Sequence, residues 1–141
     1  MIREATREDI PRIVEMGCHF RGDSRYEKYL RENPSKMAEL ADTMIAKNGL
    51  LVSESDGKVV GMLASIIYPH FISGDIFSGE IVWWVEPEYR GDGVRLVRTM
   101  ENRARLAGAK YAQMIAPTEQ VGHLYKRLGY EYVESTYQKT L

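Results

Sequence analysis

The stretch from Glu80 to Arg98, EIVWWVEPEYRGDGVRLVR, constrains this chain more than any other. Ile81 to Glu86 is dense in β-branched and aromatic side chains and is closed by Pro87, the pattern of a strand buried on both faces. Arg90-Gly91-Asp92-Gly93 follows as a short loop, and Val94, Val97, Met100, Ala104 and Ala107 then recur at helical spacing. Such a loop leaves backbone N–H groups without partners at the helix start, where the macrodipole also favours negative charge, so phosphate binding is its natural chemistry. As a bare turn, the same residues need only positive φ at Gly91 and Gly93. A P-loop is excluded because its lysine and hydroxyl are missing, and a dinucleotide fingerprint because Leu96 stands where its last glycine belongs.

The chain of 141 residues suits a single domain spanning 1–141. Its formal net charge of −1 provides no basic field to draw it to nucleic acid or to an anionic membrane. The one cysteine, Cys18, has no partner for an intrachain disulfide and is expected as a packed thiol. His19, His70 and His123 lack metal-ligand spacing, so no metal site is expected. Without a charged-then-apolar leader or a long apolar run, the expectation is a soluble, cytoplasmic protein.

Elsewhere, local signals set the elements. Met1 to Ala5 is a short candidate strand, and Thr6 with Asp9 resembles a capping box ahead of a helix with Ile10, Ile13, Val14 and Gly17 on one face. Residues 18 to 32 are polar with interleaved aromatics and are expected as a loop with at most a short helical piece. Asn33 caps a second helix with Pro34 at its first position and an apolar stripe of Met37, Leu40, Ala41, Met44 and Ile45. Leu50–Ser55 and Lys58–Tyr68 form a hairpin about Asp56-Gly57. After the central helix, Gly108 fits a position just past the helix end, Lys110 to Ala116 reads as a strand, and Val121, Leu124, Tyr125 and Leu128 make a short helix stopped by Gly129. Tyr130–Ser135 and Tyr137–Leu141 are expected as a final hairpin.

Three stretches together resemble the GNAT superfamily of N-acetyltransferases. Arg90 and Gly93 after V-E-P-E-Y are similar to its pyrophosphate loop, Q/R-x-x-G-x-G/A, with Arg95 in place of the final small residue. HLYKRLGYEYV, residues 123 to 133, resembles its short helix ending Y-x-K-L-G-F, and IREATREDIPRIVEM resembles its usual opening. The resemblance implies an α/β mixed sheet of six to seven strands flanked by about four helices, and acetyl-CoA as acyl donor. It implies that Trp84 and Val85 pair with the pantetheine arm and that Arg90, Gly91, Asp92, Gly93, Val94 and Arg95 surround the pyrophosphate. Tyr125 takes the position of the general-acid tyrosine, and Glu80 a position where some lysine-modifying members carry their base, with Glu86 second. Phe20, Tyr26 and Tyr29 fall in the region that covers the acceptor side, and one of Trp83 and Trp84 is expected to face that cleft.

The implied reaction is direct attack by a small-molecule or protein primary amine on the thioester. A lysine-type amine has a reference pKa of about 10.4, so roughly one molecule in a few thousand is nucleophilic at neutral pH, and a base or a desolvating site is required. A thiol titrates near ~8.5 and a tyrosine near ~10, so a hydrogen bond from Tyr125 to the leaving thiolate describes its role better than full proton transfer. Two other classes compete. One keeps the fold as a non-catalytic coenzyme A-binding regulatory module, prompted by Arg95; the other is nucleic-acid binding through Arg95, Arg98, Asn102 and Arg105 on one helix face. The acceptor's identity and the oligomeric state are open at this point, a homodimer being compatible with the resemblance.

Overall fold

The computed structural model describes all residues, Met1–Leu141. Five strands, β1 (Ile2–Glu4), β2 (Leu50–Ser55), β3 (Lys58–Pro69), β4 (Ile76–Val85) and β5 (Tyr111–Gln113), form one sheet in sequence order. Helices α1 (Ile10–Gly22) and α2 (Pro34–Ala46) cover one face, and α3 (Gly93–Leu106) and α4 (Glu119–Arg127) belong to the other. All neighbours are antiparallel except β4 and β5, which are parallel. The class is the expected mixed α/β fold, with five strands rather than six or seven.

Local chemistry explains the boundaries that were foreseen. Asn33 Oδ1 accepts the Lys36 N–H at 3.0 Å, with Pro34 at the first helical position. Asp56 and Gly57 both take positive φ, +51° and +74°, as the tight turn between β2 and β3 demands. Thr6 N–H donates to Asp9 Oδ2 at 2.8 Å, half of the capping box. Asp9 is also clamped by Arg3, which holds its carboxyl below the ordinary range.

The sheet separates two apolar layers. Met16, Ala41, Leu50, Val52, Met62, Ala64 and Trp84 pack under α1 and α2, while Leu51, Leu63, Val85, Leu96, Val97 and Met100 pack under α3. Complete burial of a side chain such as Leu96 contributes about 2 kcal/mol. Two expected stripe members are displaced: Leu40 and Ala107 lie exposed, and the buried line of α3 runs through Gly93, Leu96, Val97, Met100 and Ala104.

Three larger differences have physical causes. α1 continues through Gly22 instead of stopping near Gly17, because long-range partners reward the extra turn: His19 Nδ1 pairs with Glu86 at 2.7 Å, and Phe20 meets Trp84 edge-on at 6.4 Å. β5 is shorter than Lys110–Ala116, since only Phe77–Gly79 of β4 lies alongside it. The final hairpin is absent, and nothing beyond Gly129 forms a helix or strand. Residues 131–141 contain no glycine, proline, asparagine or aspartate to make its turn.

One irregularity in β4 positions the site. Ala64 stands opposite Val82 but Ser65 opposite Glu80, so Ile81 is an extra residue, a β-bulge. Strand side chains alternate faces, and Glu80 and Trp83 would otherwise point to opposite sides. The bulge brings both to the α3/α4 face, where Tyr125 lies.

Candidate active site

β4 and β5 pair as far as Gly79 and Gln113 and then part. Beyond that point β4 runs on to Val85 with no neighbour on this side. Glu86 N–H donates to Val60 O at 2.8 Å, which makes Val60 and Glu86 a bonded pair and turns the backbone groups of Val85, and of Trp83 two residues earlier, toward the opening. Trp84 directs its backbone to β3 instead. Of the two expected backbone positions, Val85 faces the opening and Trp84 faces β3.

Glu80 and Tyr125 meet at the mouth of this opening through a single residue. The Ile115 N–H donates to Glu80 Oε2 at 2.8 Å, and the Tyr125 hydroxyl donates to the Ile115 carbonyl at 3.0 Å. Burial pushes the Glu80 carboxyl up to about 7, against a smaller downward pull from the Ile115 hydrogen bond. Tyr125 is 5% exposed, stacks on Trp83 at 5.7 Å and contacts Tyr130 at 5.8 Å. Burial, and then the Glu80 charge, raise its phenol above the ordinary tyrosine range. Ile115 carried no sequence signal, because it acts through its backbone.

The two tryptophans divide between the faces. Trp83 lies with Tyr125 and α3, while Trp84 lies with Phe20 and under the Arg90 guanidinium, 4.8 Å from its ring. Each indole Nε1 is buried without a hydrogen-bond partner. Phe20 also meets Tyr26 at 6.3 Å, so Phe20, Tyr26 and Trp84 form one aromatic cluster on the α1 side. Tyr29 is about half exposed and has only Lys28 over its ring.

The glycine loop is a pair of 3-10 turns, Pro87–Asp92, running directly into α3. Neither Gly91 nor Gly93 has positive φ, so the bare-turn requirement does not apply. Gly93 is needed for proximity: a Cβ there would stand 3.0 Å from Trp83 Cζ2, whereas one at Gly91 would meet nothing within 4 Å. Gly93 therefore lets the positive end of the α3 dipole sit against the β4 edge. Val94 is half-buried behind it. Arg90 turns back from the loop, donating from Nε to Val85 O at 2.6 Å and pointing toward Asp23 at 3.9 Å. Asp92 accepts from the buried Ser53 hydroxyl at 2.7 Å, tying the loop to β2.

Arg95 points outward, its side chain 60% exposed and 3.4 Å from Asp92. It does not fill the space between loop and strand. On the same helix, Arg105 pairs with Glu101 and Asn102. Glu86, the second candidate base, is engaged otherwise: it accepts from Arg12 at 3.2 Å and pairs with His19, joining α1 to the end of β4. No three His, Cys, Asp or Glu side chains gather as metal ligands, and no helix is long and apolar enough to cross a membrane.

The model of the acetyltransferase (GNAT) family matches residues 14–130. No curated protein sequence matches the chain significantly. Among solved structures, a transcriptional regulator from Bacillus halodurans C-125 is similar at 22% identity with a TM-score of 0.83, over 100% of this chain and 99% of that one. A ribosomal-protein-alanine N-acetyltransferase from Brucella melitensis biovar Abortus 2308 is similar at 16% identity and TM-score 0.75, over 100% and 98%. A predicted acetyltransferase with acetyl-CoA from Clostridium acetobutylicum is similar at 17% identity and TM-score 0.77, over 99% and 95%. At these identities the structures establish a shared fold.

Proposed function

We propose, from the premise that this chain belongs to the GNAT acetyltransferase family, that it transfers an acetyl group from acetyl-CoA to a primary amine. The observation that carries this reading is the convergence of Glu80 and Tyr125 on the two sides of Ile115 at the mouth of the β4–β5 opening. The surroundings fit an extended thioester donor. Trp83 offers strand-edge backbone groups to an amide-bearing arm, and Val85 its N–H, the Val85 carbonyl being engaged by Arg90, as in strand addition. Gly93 admits the α3 N-terminus to the same edge, where a pyrophosphate would meet the positive end of its dipole.

Each residue has a distinct task. Glu80, titrating near about 7, is substantially deprotonated at neutral pH yet basic enough to accept the ammonium proton of the incoming amine. The neutral amine attacks the thioester carbonyl, a C–N bond forms, and the C–S bond breaks with the electron pair leaving on sulfur. Tyr125 is poorly acidic in this setting, so it turns its one O–H from the Ile115 carbonyl to the developing thiolate and donates a hydrogen bond there while keeping its proton. The stack of Trp83 on Tyr125 holds the phenol in place. On the opposite face, Phe20, Tyr26 and Trp84 form an aromatic cluster beside α1.

The test is a pH series of kcat/KM, read as coenzyme A release with a panel of amines, for wild type and Glu80→Gln, beside a calorimetric titration with acetyl-CoA. Wild-type activity is expected to rise with pH through about 7, and the variant to lose that limb with a rate about 10²–10⁴-fold lower and unchanged acetyl-CoA affinity. Full activity in Glu80→Gln removes Glu80 as the base. Failure of the wild type to bind acetyl-CoA removes the enzymatic reading.

A further inference from the structure

We infer that the acceptor is a primary amine carrying an aromatic ring on a short spacer, and that this ring lies on a platform of side chains centred on Tyr68 and Phe77. The inference rests on the acyl-transfer reading and names the substrate class of the same site.

The platform follows from strand alternation. Ser78 Oγ donates to the buried Met100 sulfur at 3.3 Å, and Ala112 packs in the apolar layer under α3. Their chain neighbours, Phe77 and Gly79 on β4 and Tyr111 and Gln113 on β5, therefore face the other side of the sheet. Tyr68 stands opposite Phe77 and Ile66 opposite Gly79, which puts both on that side too. There α1 and α2 leave the sheet open: Ile66 and Tyr111 are 48% and 50% exposed. Phe77 sits among three rings, its centroid 6.0 Å from Tyr68, 5.0 Å from Tyr111 and 4.6 Å from His70. A continuous surface of rings is suited to a further ring stacked or set edge-on against it.

This platform starts where the candidate active site starts. A Cβ at Gly79 would stand 3.1 Å from Tyr68 Cε1 and 3.9 Å from Ile66 Cγ1, so the Tyr68 ring leans across bare Gly79 backbone. Its hydroxyl donates to Gln113 Oε1 at 3.2 Å. Gly79 and Gln113 are the last residues that join β4 to β5, and Glu80 is next in the chain. Tyr68 thus spans three strands at the point where two of them part. On the other side of the sheet, the stack of Trp83 on Tyr125 and the α3 N-terminus line the approach given to the thioester donor. The amine is left the side on which Tyr68 lies. With its nitrogen at Glu80, a group one or two residues back along β4 falls roughly 3–7 Å away, over Gly79 and toward Phe77. A two-carbon spacer covers that interval.

Charge selects against a polyamine. Its second ammonium would run along the platform to Asp75, the carboxylate at the far end of β4, which Lys110 Nζ already engages at 3.7 Å and the Ser73 hydroxyl at 2.8 Å. Lys110 itself lies over the Tyr111 ring at 5.6 Å. An incoming cation therefore meets an occupied carboxylate and a resident ammonium, whereas an uncharged ring meets rings.

The test compares acetyl transfer from acetyl-CoA to phenethylamine, 2-cyclohexylethylamine and putrescine, beside saturation-transfer NMR of phenethylamine on the protein loaded with coenzyme A. Wild type should favour phenethylamine over each of the others by about 5–10-fold in kcat/KM, with saturation strongest at its ring protons. Tyr68→Leu should abolish that preference through KM. Tyr111→Leu, at a half-exposed position that puts folding least at risk, should reduce it in the same direction, with circular dichroism checking the fold of both variants. Equal use of the three amines, a preference for putrescine, or a ring preference that survives both substitutions overturns the inference while acetyl transfer stands. Absence of ring saturation overturns it whatever the activity. Ring binding without acetyl transfer to any amine refutes the acceptor role and the acyl-transfer reading together.

Discussion

Glu80→Gln should stabilise the folded protein while disabling it, and the stabilisation should depend on pH in a defined way. The carboxyl titrates near about 7 in the fold against an ordinary value of 4.5, because burial penalises its charged form. A raised carboxyl pKa means that the folded state is favoured when Glu80 is protonated. That advantage is complete below about pH 4.5, is lost as pH rises, and is gone above about 7, where the buried charge must be carried. The difference corresponds to about 3 kcal/mol for Glu80 alone. Glutamine keeps the shape and an oxygen for the Ile115 N–H but cannot ionise. The assay is urea unfolding of both proteins in parallel from about pH 4 to about pH 8, subtracting one curve from the other so that groups common to both cancel. The variant should match wild type at the acid end and exceed it by up to about 3 kcal/mol at the alkaline end. A difference that does not change with pH, or a wild type that gains on the variant as pH rises, would refute the account of Glu80 as a buried, destabilised carboxylate.

Tyr125→Phe keeps the stack on Trp83 but removes the donor to Ile115 O, so stability should fall by about 1 kcal/mol and kcat by roughly 10²-fold, with calorimetric affinity for acetyl-CoA retained. Unchanged turnover would leave that tyrosine a structural role only. Gly93→Ala should cost about 1–3 kcal/mol in thermal or urea unfolding, since its methyl presses on Trp83, while Gly91→Ala should stay within about 0.5 kcal/mol of wild type. Equal effects would mean that proximity to Trp83 is not what Gly93 provides. Arg95→Ala loses only an exposed pair with Asp92 and should leave stability unchanged. If the outward guanidinium reaches a phosphate of coenzyme A, the same variant should bind acetyl-CoA more weakly, and undiminished binding rejects that contact.

What the sequence by itself determined about this protein is what short-range chemistry dictates. The Asn33 cap with Pro34, the Asp56-Gly57 turn and the positive-φ glycines Gly108 and Gly129 depend on atoms a few residues apart, and each stands where its residues indicated. The strand of β4, the loop and α3 were legible because periodicity and composition there agree. Candidate site residues could be named by resemblance, yet their relations to one another could not. The bulge at Ile81, which puts Glu80 and Trp83 on one face, is a mismatch of register with β3 and exists only when the strands pair. The Ile115 bridge uses backbone atoms, which every residue type possesses, so no side-chain pattern marks it. α1 ran past its expected end because His19 and Phe20 find Glu86 and Trp84 across the fold, contacts invisible to a local reading. The end of the chain makes the same point in reverse: residues 131–141 have the composition of strands but form none in this fold. A strand is a relation between two segments, whereas a cap or a turn is a property of one, and that difference separates what this sequence determined from what only the tertiary structure decided.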